Sequence, residues 1–273
     1  MTRIDCREIT SNEIIRSEQI RVAFDCLAKF GYVIMDNLVA EEKIKSLRAE
    51  VKKRLTKYID EKGLRDELRV GSRRYMIPVE ISGKFSDPLI YANDFVVSLV
   101  RLALGKDAIL ESFGAVISLP GSETQHIHRD NPLLFDSAIS TILPVHALTY
   151  VLPLIEMNDH HGSTAIWPGS HRWTKFDSNK SPEIPTVPLG SCILWDYRLF
   201  HGGTPNRSGV DRPIVYGTYS KKWFQDRGNF AKGTQRQISF ENGFIENLND
   251  ENRRLFSHML NVGQVPDAGL VTS

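Results

Sequence analysis

His128, Arg129 and Asp130 combine residue types and a spacing that suit metal binding. They follow the turn signal Pro120-Gly121 and are flanked by stretches rich in β-branched residues. Residues two apart in an extended backbone point to the same side, so the His128 imidazole and the Asp130 carboxylate can converge while Arg129 faces away. One imidazole and one carboxylate form two thirds of the facial triad of non-haem iron enzymes. The spacing alone is equally consistent with a surface histidine beside a turn-forming aspartate.

His201 has the surroundings that best suit a third ligand among the eight histidines of the chain. It ends the apolar run 193–200, which we predict as a buried strand, and Gly202 and Gly203 follow it. Glycines let a backbone approach a ligand closely. A hydrogen-bonded core histidine is the alternative interpretation of His201, and His126 offers a lesser alternative to Asp130 in the ligand set.

Arg212 strengthens the interpretation of this region as a binding site. It starts a predicted strand after the turn at 204–206, and a hairpin would bring it beside the His201 strand. A guanidinium offers a planar fork that matches a carboxylate better than the point charge of a lysine does. Arg207 is the nearest rival for this role.

The elements that must position these residues change in character along the chain. Apolar residues at helical spacing predict three helices in the first part of the chain. Stretches rich in Val, Ile, Tyr and Trp, separated by Pro, Gly and Asn turns, predict strands in the centre. The predicted helices cover residues 18–29, 41–59 and 94–104, and the predicted strands cover 32–35, 109–119, 146–155, 191–200 and 213–224.

This order predicts an α+β fold, with a double-sheet or barrel core and helices packed outside it. No repeat or long Pro/Gly/Ser linker divides the chain, so we expect a single domain over 1–273. Its β core covers about 108–224 and its N-terminal helices about 18–105. A C-terminal helical segment covers about 242–262.

Several blocks of the sequence, in order, resemble the phytanoyl-CoA dioxygenase family of Fe(II)/2-oxoglutarate oxygenases. The resemblance covers about Phe30 to Phe224, and the pair Trp223-Phe224 resembles a biosynthetic subset of that family. The blocks are Phe30-Gly31-Tyr32-Val33, Pro120-Gly121, Gln125 to Asp130, Gly162-Ser163-Thr164, Pro168 to His171 and Trp195 to Arg212.

The resemblance implies a double-stranded β-helix, or jelly-roll, core. It also implies His128, Asp130 and His201 as catalytic iron ligands and Arg212 as the anchor of the far carboxylate of 2-oxoglutarate. Gln125 and, more weakly, Thr164 correspond to cosubstrate contacts. Fe(II), 2-oxoglutarate and O2 are the implied cofactor and cosubstrates, and a small natural-product intermediate is the expected substrate.

The carboxylate of Asp130 narrows the expected chemistry. Halogenating relatives have a small residue at this position, so that chloride can bind the iron. A carboxylate here favours hydroxylation, desaturation, epoxidation or ring formation. Two other classes remain open: a non-catalytic metal-binding jelly-roll protein or sensor, and a zinc hydrolase that uses the same three ligands.

Composition sets the expected partners. The net charge is +1, from 34 basic and 33 acidic residues, which gives no electrostatic reason to expect a nucleic-acid partner. Three cysteines at spacings that form no zinc pair favour a reducing compartment, and no apolar run approaches membrane length. We expect a cytoplasmic protein with no membrane partner, and a homodimer as its assembly.

Other candidate residues have an ordinary structural interpretation. Arg73 and Arg74 lie between predicted helices, where a solvated loop is favoured over a substrate-binding loop. Trp167, Trp195 and Tyr197 lie in β-rich segments, where large aromatic side chains usually contribute packing.

Overall fold

The computed structural model of the chain describes residues 2–7, 13–62, 69–229 and 237–260. Helices dominate the first hundred residues, and short helical turns recur later. Single 3-10 turns lie at Gly83–Ser86, Ser170–Arg172 and Arg254–Phe256. The α-helices are α1 (Glu13–Phe30), α2 (Glu41–Lys62), α3 (Pro88–Tyr91), α4 (Asp94–Leu104), α5 (Ile139–Ile142), α6 (Asp250–Arg253) and α7 (Ser257–Leu260).

Ten strands form the sheets in the described part of the chain. They are β1 (Arg3–Asp5), β2 (Tyr32–Asp36), β3 (Arg69–Gly71), β4 (Arg74–Pro78), β5 (Ile109–Ser118), β6 (Ala147–Pro153), β7 (Thr164–Ile166), β8 (Cys192–Asp196), β9 (His201–Gly203) and β10 (Arg212–Ser220). Eight of them form one sheet in the order β1-β2-β8-β6-β10-β5-β4-β3, and β7 pairs with β9 in a second sheet. The central pairs β10–β5, β10–β6 and β6–β8 are antiparallel.

The second sheet extends beyond its two strands through single antiparallel bridges. His128 pairs with His201 on one side, and Ile166 pairs with Glu183 on the other. The smaller sheet therefore consists of four short segments that face the large sheet. This is the two-sheet arrangement of a jelly roll.

The large sheet is buried on both faces. One face packs against the helices through a large apolar cluster that includes Leu99 of α4 and Val215 of β10. The opposite face contributes Val151, Trp195 and Ile214 to a separate cluster that packs toward the small sheet. Strand β10 has nine buried residues in succession, as expected for a central strand covered on both sides. The space between the two sheets holds the site described below.

The predicted α+β jelly-roll fold is confirmed, and α4 has the predicted bounds. Helix α1 begins earlier than predicted, at Glu13, and α2 continues to Lys62. The predicted boundary between an N-terminal helical part and the β core is wrong in part. Strands β1 to β4 lie outside 108–224 and still complete the large sheet, because β2 pairs with β8 and β4 pairs with β5 of the core.

Two further local predictions need correction. His201 does not end the strand before it: β8 stops at Asp196, and His201 begins β9 in the other sheet. Arg212 begins β10 in the large sheet, so it faces His201 across the space between sheets and is not its hairpin neighbour. In the C-terminal segment, residues 242–247 form turns and helix starts only at Asp250; residues 261–262 lie outside the described residues.

No helix in the described ranges is long and apolar enough to cross a membrane. The three cysteines, Cys6, Cys26 and Cys192, are buried.

Candidate active site

His128, Asp130 and His201 converge on one point between the two sheets. One potential ligand atom from each residue lies within 4.8 Å of the others. His128 and His201 are held together by a pair of backbone hydrogen bonds, 3.0 and 2.9 Å long, in which each N–H donates to the other residue's carbonyl. The Asp130 N–H donates to the Tyr197 carbonyl at 3.1 Å. The cluster thus forms where the segment 128–130 adds to the edge of β9.

Both imidazoles are oriented by their own backbone. Nδ1 of His128 lies 2.9 Å from the carbonyl of His126, and Nδ1 of His201 lies 3.0 Å from the carbonyl of Leu199. A carbonyl only accepts, so each Nδ1 carries the proton, and in the neutral imidazole Nε2 keeps its lone pair. This is the orientation that metal-binding histidines usually have.

Asp130 is held from behind by two donors of the large sheet. The Thr149 hydroxyl and the Trp195 indole N–H both donate to its Oδ2, at 2.5 and 2.8 Å. The other oxygen, Oδ1, lies 3.4 Å from Nε2 of His201. One carboxylate oxygen is therefore fixed by the sheet, and the other faces the imidazoles.

The protonation states suit metal ligands. Burial opposes the ionised form of Asp130, but the His201 imidazole beside it outweighs this effect and lowers the pKa of Asp130 to about 2. Burial, with the added charge of His201, lowers the pKa of His128 to about 4. Burial also opposes charge on His201, yet the Asp130 carboxylate raises the pKa of His201. Near neutral pH the set therefore contains an ionised carboxylate beside a neutral His128 imidazole.

Two buried arginines converge on one hydroxyl in the same pocket. Nε of Arg74 donates to Ser118 Oγ at 2.8 Å, and Nη2 of Arg212 donates to the same oxygen at 2.7 Å. Arg74 and Arg212 are 1% and 2% exposed. Within the described residues neither forms an ion pair, and Nη1 of Arg74 and Nε of Arg212 have no hydrogen-bond partner. Uncompensated charge of this kind is costly in a protein interior.

The pKa values reflect this cost. Burial lowers the pKa of Arg74 to about 10. Burial, followed by the positive charge of Arg74, lowers the pKa of Arg212 to about 9. Both side chains remain charged at neutral pH, so the pocket presents two positive charges and unpaired N–H donors to an anion.

Gly203 makes room for Arg74. A Cβ atom on Gly203 would lie 2.8 Å from both Cζ and Nη2 of Arg74, so its backbone forms the surface against which the guanidinium lies. Nη2 of Arg74 also donates to the Thr204 carbonyl at 3.1 Å. Strand β9 therefore carries the cluster residue His201 at its start and supports the arginine at its end.

Gln125 and Thr164 both line the pocket. Oε1 of Gln125 accepts from the Gly203 N–H at 3.2 Å, and its Nε2 donates to the Val70 carbonyl at 2.9 Å. Thr164 starts β7 and pairs with Gly203 in the small sheet. The pocket has a volume of about 160 Å³, and its wall contains the triad, both arginines and side chains of β5, β6 and β10.

Several alternatives from the sequence lie outside this cluster. His126 is exposed, and it contributes its backbone carbonyl to His128 while its ring packs 4.9 Å from the His128 ring. Arg207 is exposed and donates to the Asp159 carbonyl. Arg129 faces away as predicted, with its guanidinium 3.9 Å from the centre of the Phe200 ring.

The sequence interpretation missed Arg74, Trp195 and Tyr197. Arg74 was assigned to a solvated loop, which is wrong, since it lies in β4 with its side chain in the pocket. Trp195 and Tyr197 were assigned to packing, yet both line the pocket, and Trp195 holds Asp130. No pattern in the run Arg74 to Val79 distinguishes a buried Arg74 from a solvated one, because apolar residues occupy both alternating sets of positions.

Residues 27–214 match the model of the phytanoyl-CoA dioxygenase family, and the chain belongs to this family. Dioxygenase af480 of Aspergillus fumigatus is 25% identical over 173 residues, which are 61% of this chain and 54% of that protein. The match thus spans about half the length of that relative.

Solved structures confirm the fold. HygX from Streptomyces hygroscopicus, solved with nickel and 2-oxoglutarate, is 16% identical with a TM-score of 0.58, covering 77% of this chain and 88% of that one. SnoN, a non-haem α-ketoglutarate-dependent epimerase from nogalamycin biosynthesis, is 14% identical with a TM-score of 0.59, covering 76% of this chain and 84% of its own.

Proposed function

We propose that this protein is an Fe(II)- and 2-oxoglutarate-dependent oxygenase that oxidises a small organic substrate and releases succinate and CO2. One observation carries the proposal. A His/Asp/His cluster with oriented imidazoles shares a pocket with two buried arginines that have no acidic partner among the described residues. The first feature suits a divalent metal, and the second suits a dicarboxylate.

His128, Asp130 and His201 would hold the iron through two Nε2 atoms and one carboxylate oxygen. Three protein ligands leave three octahedral positions for a bidentate cosubstrate and O2. Iron with 2-oxoglutarate and O2 supplies the oxidising power for cleavage of an unactivated C–H bond. Thr149 and Trp195 fix the direction of the Asp130 carboxylate, and such supporting contacts tune metal affinity.

Arg212 and Arg74 would bind the far carboxylate of 2-oxoglutarate. Their unpaired N–H groups, together with the Ser118 hydroxyl that they share, give this carboxylate charged donors in a dry environment. Charge-assisted hydrogen bonds of this type are roughly twice as strong as neutral ones. Gln125 and Thr164 line the same pocket as the arginines and the His/Asp/His cluster, which supports their assignment as cosubstrate contacts.

The reaction is one of hydroxylation, desaturation, epoxidation or ring formation, because Asp130 occupies the position that halide takes in halogenating relatives. The substrate is a small natural-product intermediate. In support, SnoN was solved with Fe3+, α-ketoglutarate and nogalamycin RO, and HygX was solved with nickel, 2-oxoglutarate and hygromycin B.

The test is conversion of 2-oxoglutarate to succinate by the purified protein with Fe(II) in air. We expect slow succinate formation that requires both iron and O2 and that is lost in His128→Ala, Asp130→Ala and His201→Ala. Gln19→Ala, in α1 and outside the pocket, serves as the control and retains the activity. Full activity in any ligand variant would contradict the ligand assignment.

The succinate assay also distinguishes the oxygenase from the two other classes, a metal-binding sensor and a zinc hydrolase. A metal-binding sensor would take up iron without forming succinate, and it would give no role to the arginine pair. A zinc hydrolase would act on its substrate with zinc and without O2.

A further inference from the structure

The wall of the pocket changes in polarity along β10. Residues two apart on a strand share one face, and Arg212, Ile214, Tyr216 and Thr218 all line the pocket. The wall is charged at Arg212, apolar at Ile214, and hydroxyl-bearing from Tyr216 onward. Strand β5 repeats this order, because Ser118, Val116 and Ser112 pair with Arg212, Ile214 and Thr218. The pocket therefore has an arginine end at Arg212 and a hydroxyl end at Tyr216, Thr218 and Ser112. An apolar band at Ile214 and Val116 separates them.

Two hydroxyls at the far end have no partner within the described residues. Ser112 is 1% exposed, and its Oγ makes no hydrogen bond. The Tyr216 hydroxyl also makes no hydrogen bond in the described ranges, and burial raises the pKa of Tyr216, so it stays a neutral donor. A buried hydroxyl without a partner, as at Ser112, is uncommon because it costs free energy. Both groups therefore offer O–H donors to a ligand in the pocket.

Gly114 makes the position of Tyr216 possible. A Cβ atom at Gly114 would lie 2.7 Å from the Tyr216 hydroxyl oxygen and 2.8 Å from its ring. The Tyr216 ring therefore approaches β5 closely at Gly114, and its hydroxyl lies over the glycine. This placement is built into the register of the sheet, where Tyr216 is opposite Gly114.

The other polar groups near this end are already engaged. The Tyr197 hydroxyl donates to Oδ2 of Asp226 at 2.5 Å. Nδ2 of Asn229 donates to Oδ2 of Asp226 and to the Asp130 carbonyl, both at 2.7 Å. The Thr149 hydroxyl donates to Asp130, and the Thr218 hydroxyl donates to the Tyr197 hydroxyl. Tyr216 and Ser112 are therefore the donors that remain for a substrate.

The hydroxyl end presents no charged side chain to a ligand in the described part of the chain. The cations that line the pocket are Arg74 and Arg212 at the opposite end, and its one lining carboxylate is Asp130. Asp226 lies behind the wall, and both of its oxygens accept hydrogen bonds. Glu111 is also behind the wall, and burial raises its pKa to about 7. An ionic group placed here would lose water and gain no opposite charge.

We propose that this end of the pocket recognises an uncharged substrate through an oxygen acceptor, with Tyr216 and Ser112 as specificity-determining residues. The acceptor is a ketone, lactone, ether or alcohol oxygen, and the rest of the entering group lies on the apolar band at Ile214 and Val116. The inference rests on the proposed function, because it assumes that 2-oxoglutarate occupies the arginine end.

The test uses three probes with one carbon skeleton: 2-decalone, decalin-2-carboxylic acid and 2-aminodecalin. Each is titrated calorimetrically, without O2, into the full-length protein loaded with Fe(II) and 2-oxoglutarate. We expect the ketone to bind at least tenfold more tightly than the acid or the amine. Equal affinities, preference for a charged probe, or binding of none of the three would overturn the proposal.

Tyr216→Phe and Ser112→Ala then assign the binding to these hydroxyls. Loss of one hydrogen bond should weaken 2-decalone binding about fivefold to tenfold in each variant. Tyr150→Phe is the matched control, because Tyr150 also has a buried hydroxyl without a partner but packs in the core on the helix side of the sheet. Unchanged affinity in both variants would contradict the assignment.

Failure of the proposed function and failure of the hydroxyl-end assignment give different results. If the protein does not bind 2-oxoglutarate with Fe(II), the proposed function fails before any probe is added. If it binds both and the ketone shows no preference, only the assignment of the hydroxyl end fails.

Discussion

Arg74 and Arg212 each donate a hydrogen bond to the Ser118 hydroxyl, and this brings two positive charges close together in the protein interior. Without a counter-charge such an arrangement is unfavourable, since each charge is desolvated and repels the other. A dicarboxylate that pairs with both side chains removes this penalty, and the free energy released contributes to binding. This local cost is the physical basis on which we propose that the cosubstrate binds.

We predict that Arg74→Met and Arg212→Met each raise the 2-oxoglutarate concentration needed for half-saturation by about tenfold or more, because each removes charge-assisted hydrogen bonds. The measurement is an anaerobic titration of the Fe(II) protein with 2-oxoglutarate. Arg73→Met is the control, since Arg73 is the exposed neighbour of Arg74. Wild-type affinity in Arg74→Met would restrict the role to Arg212.

For individual residues, the sequence predicted the positions that depend only on local backbone geometry. His128 and Asp130 share a face because they are two residues apart in extended backbone, and this requires no knowledge of the rest of the fold. Arg74 could not be recognised in the same way. Its burial depends on pairing of β4 with β5 and on Gly203, which is distant in the chain. A solvated arginine and a buried one look alike in sequence.

The turn between β8 and β9 carries the chain from the large sheet to the small one. It is fixed by Arg198, which pairs with Asp196 at 2.7 Å and donates to the carbonyls of Ser140 and Leu143. Both side chains of the pair are almost fully buried, at 5% and 4% exposure. The position of His201 at the start of β9 follows directly from this turn.

We predict that Arg198→Met lowers the free energy of unfolding by about 3 to 5 kcal/mol, because it leaves the Asp196 charge buried without a partner. Urea denaturation measures the change. Lys45→Met is the control, since Lys45 forms exposed pairs with Glu41 and Glu42, and such pairs contribute about 1 kcal/mol or less. A similar small loss in both variants would show that the turn does not depend on this pair.

Element prediction succeeded where the pattern was long and local. The helix over Asp94–Leu104 has an Asn93 cap and ends at Gly105, and both signals are visible in the sequence. Strands β3 and β7 are three residues long, which is too short for a periodic pattern, and pairing with β4 and β9 defines them. The C-terminal segment contains apolar residues at helical spacing, yet its first part folds as turns that place Phe244 against Tyr91.

The whole molecule places two binding functions in one space between two sheets. The small sheet contributes His201 and the surface for Arg74, and the large sheet contributes Arg212 and the two donors that hold Asp130. Family membership and fold are established by the match over residues 27–214 and by the solved structures. A cytoplasmic location and a homodimer stay predictions.

The most direct test of the central claim is the visible absorption spectrum of the protein with Fe(II) and 2-oxoglutarate in the absence of O2. Chelation of the iron by the keto-acid end of 2-oxoglutarate should produce a weak visible charge-transfer band. We predict this band for the wild-type protein, its absence when 2-oxoglutarate is omitted, and its absence in His201→Ala. A wild-type protein that binds iron and shows no band with saturating 2-oxoglutarate would contradict the claim.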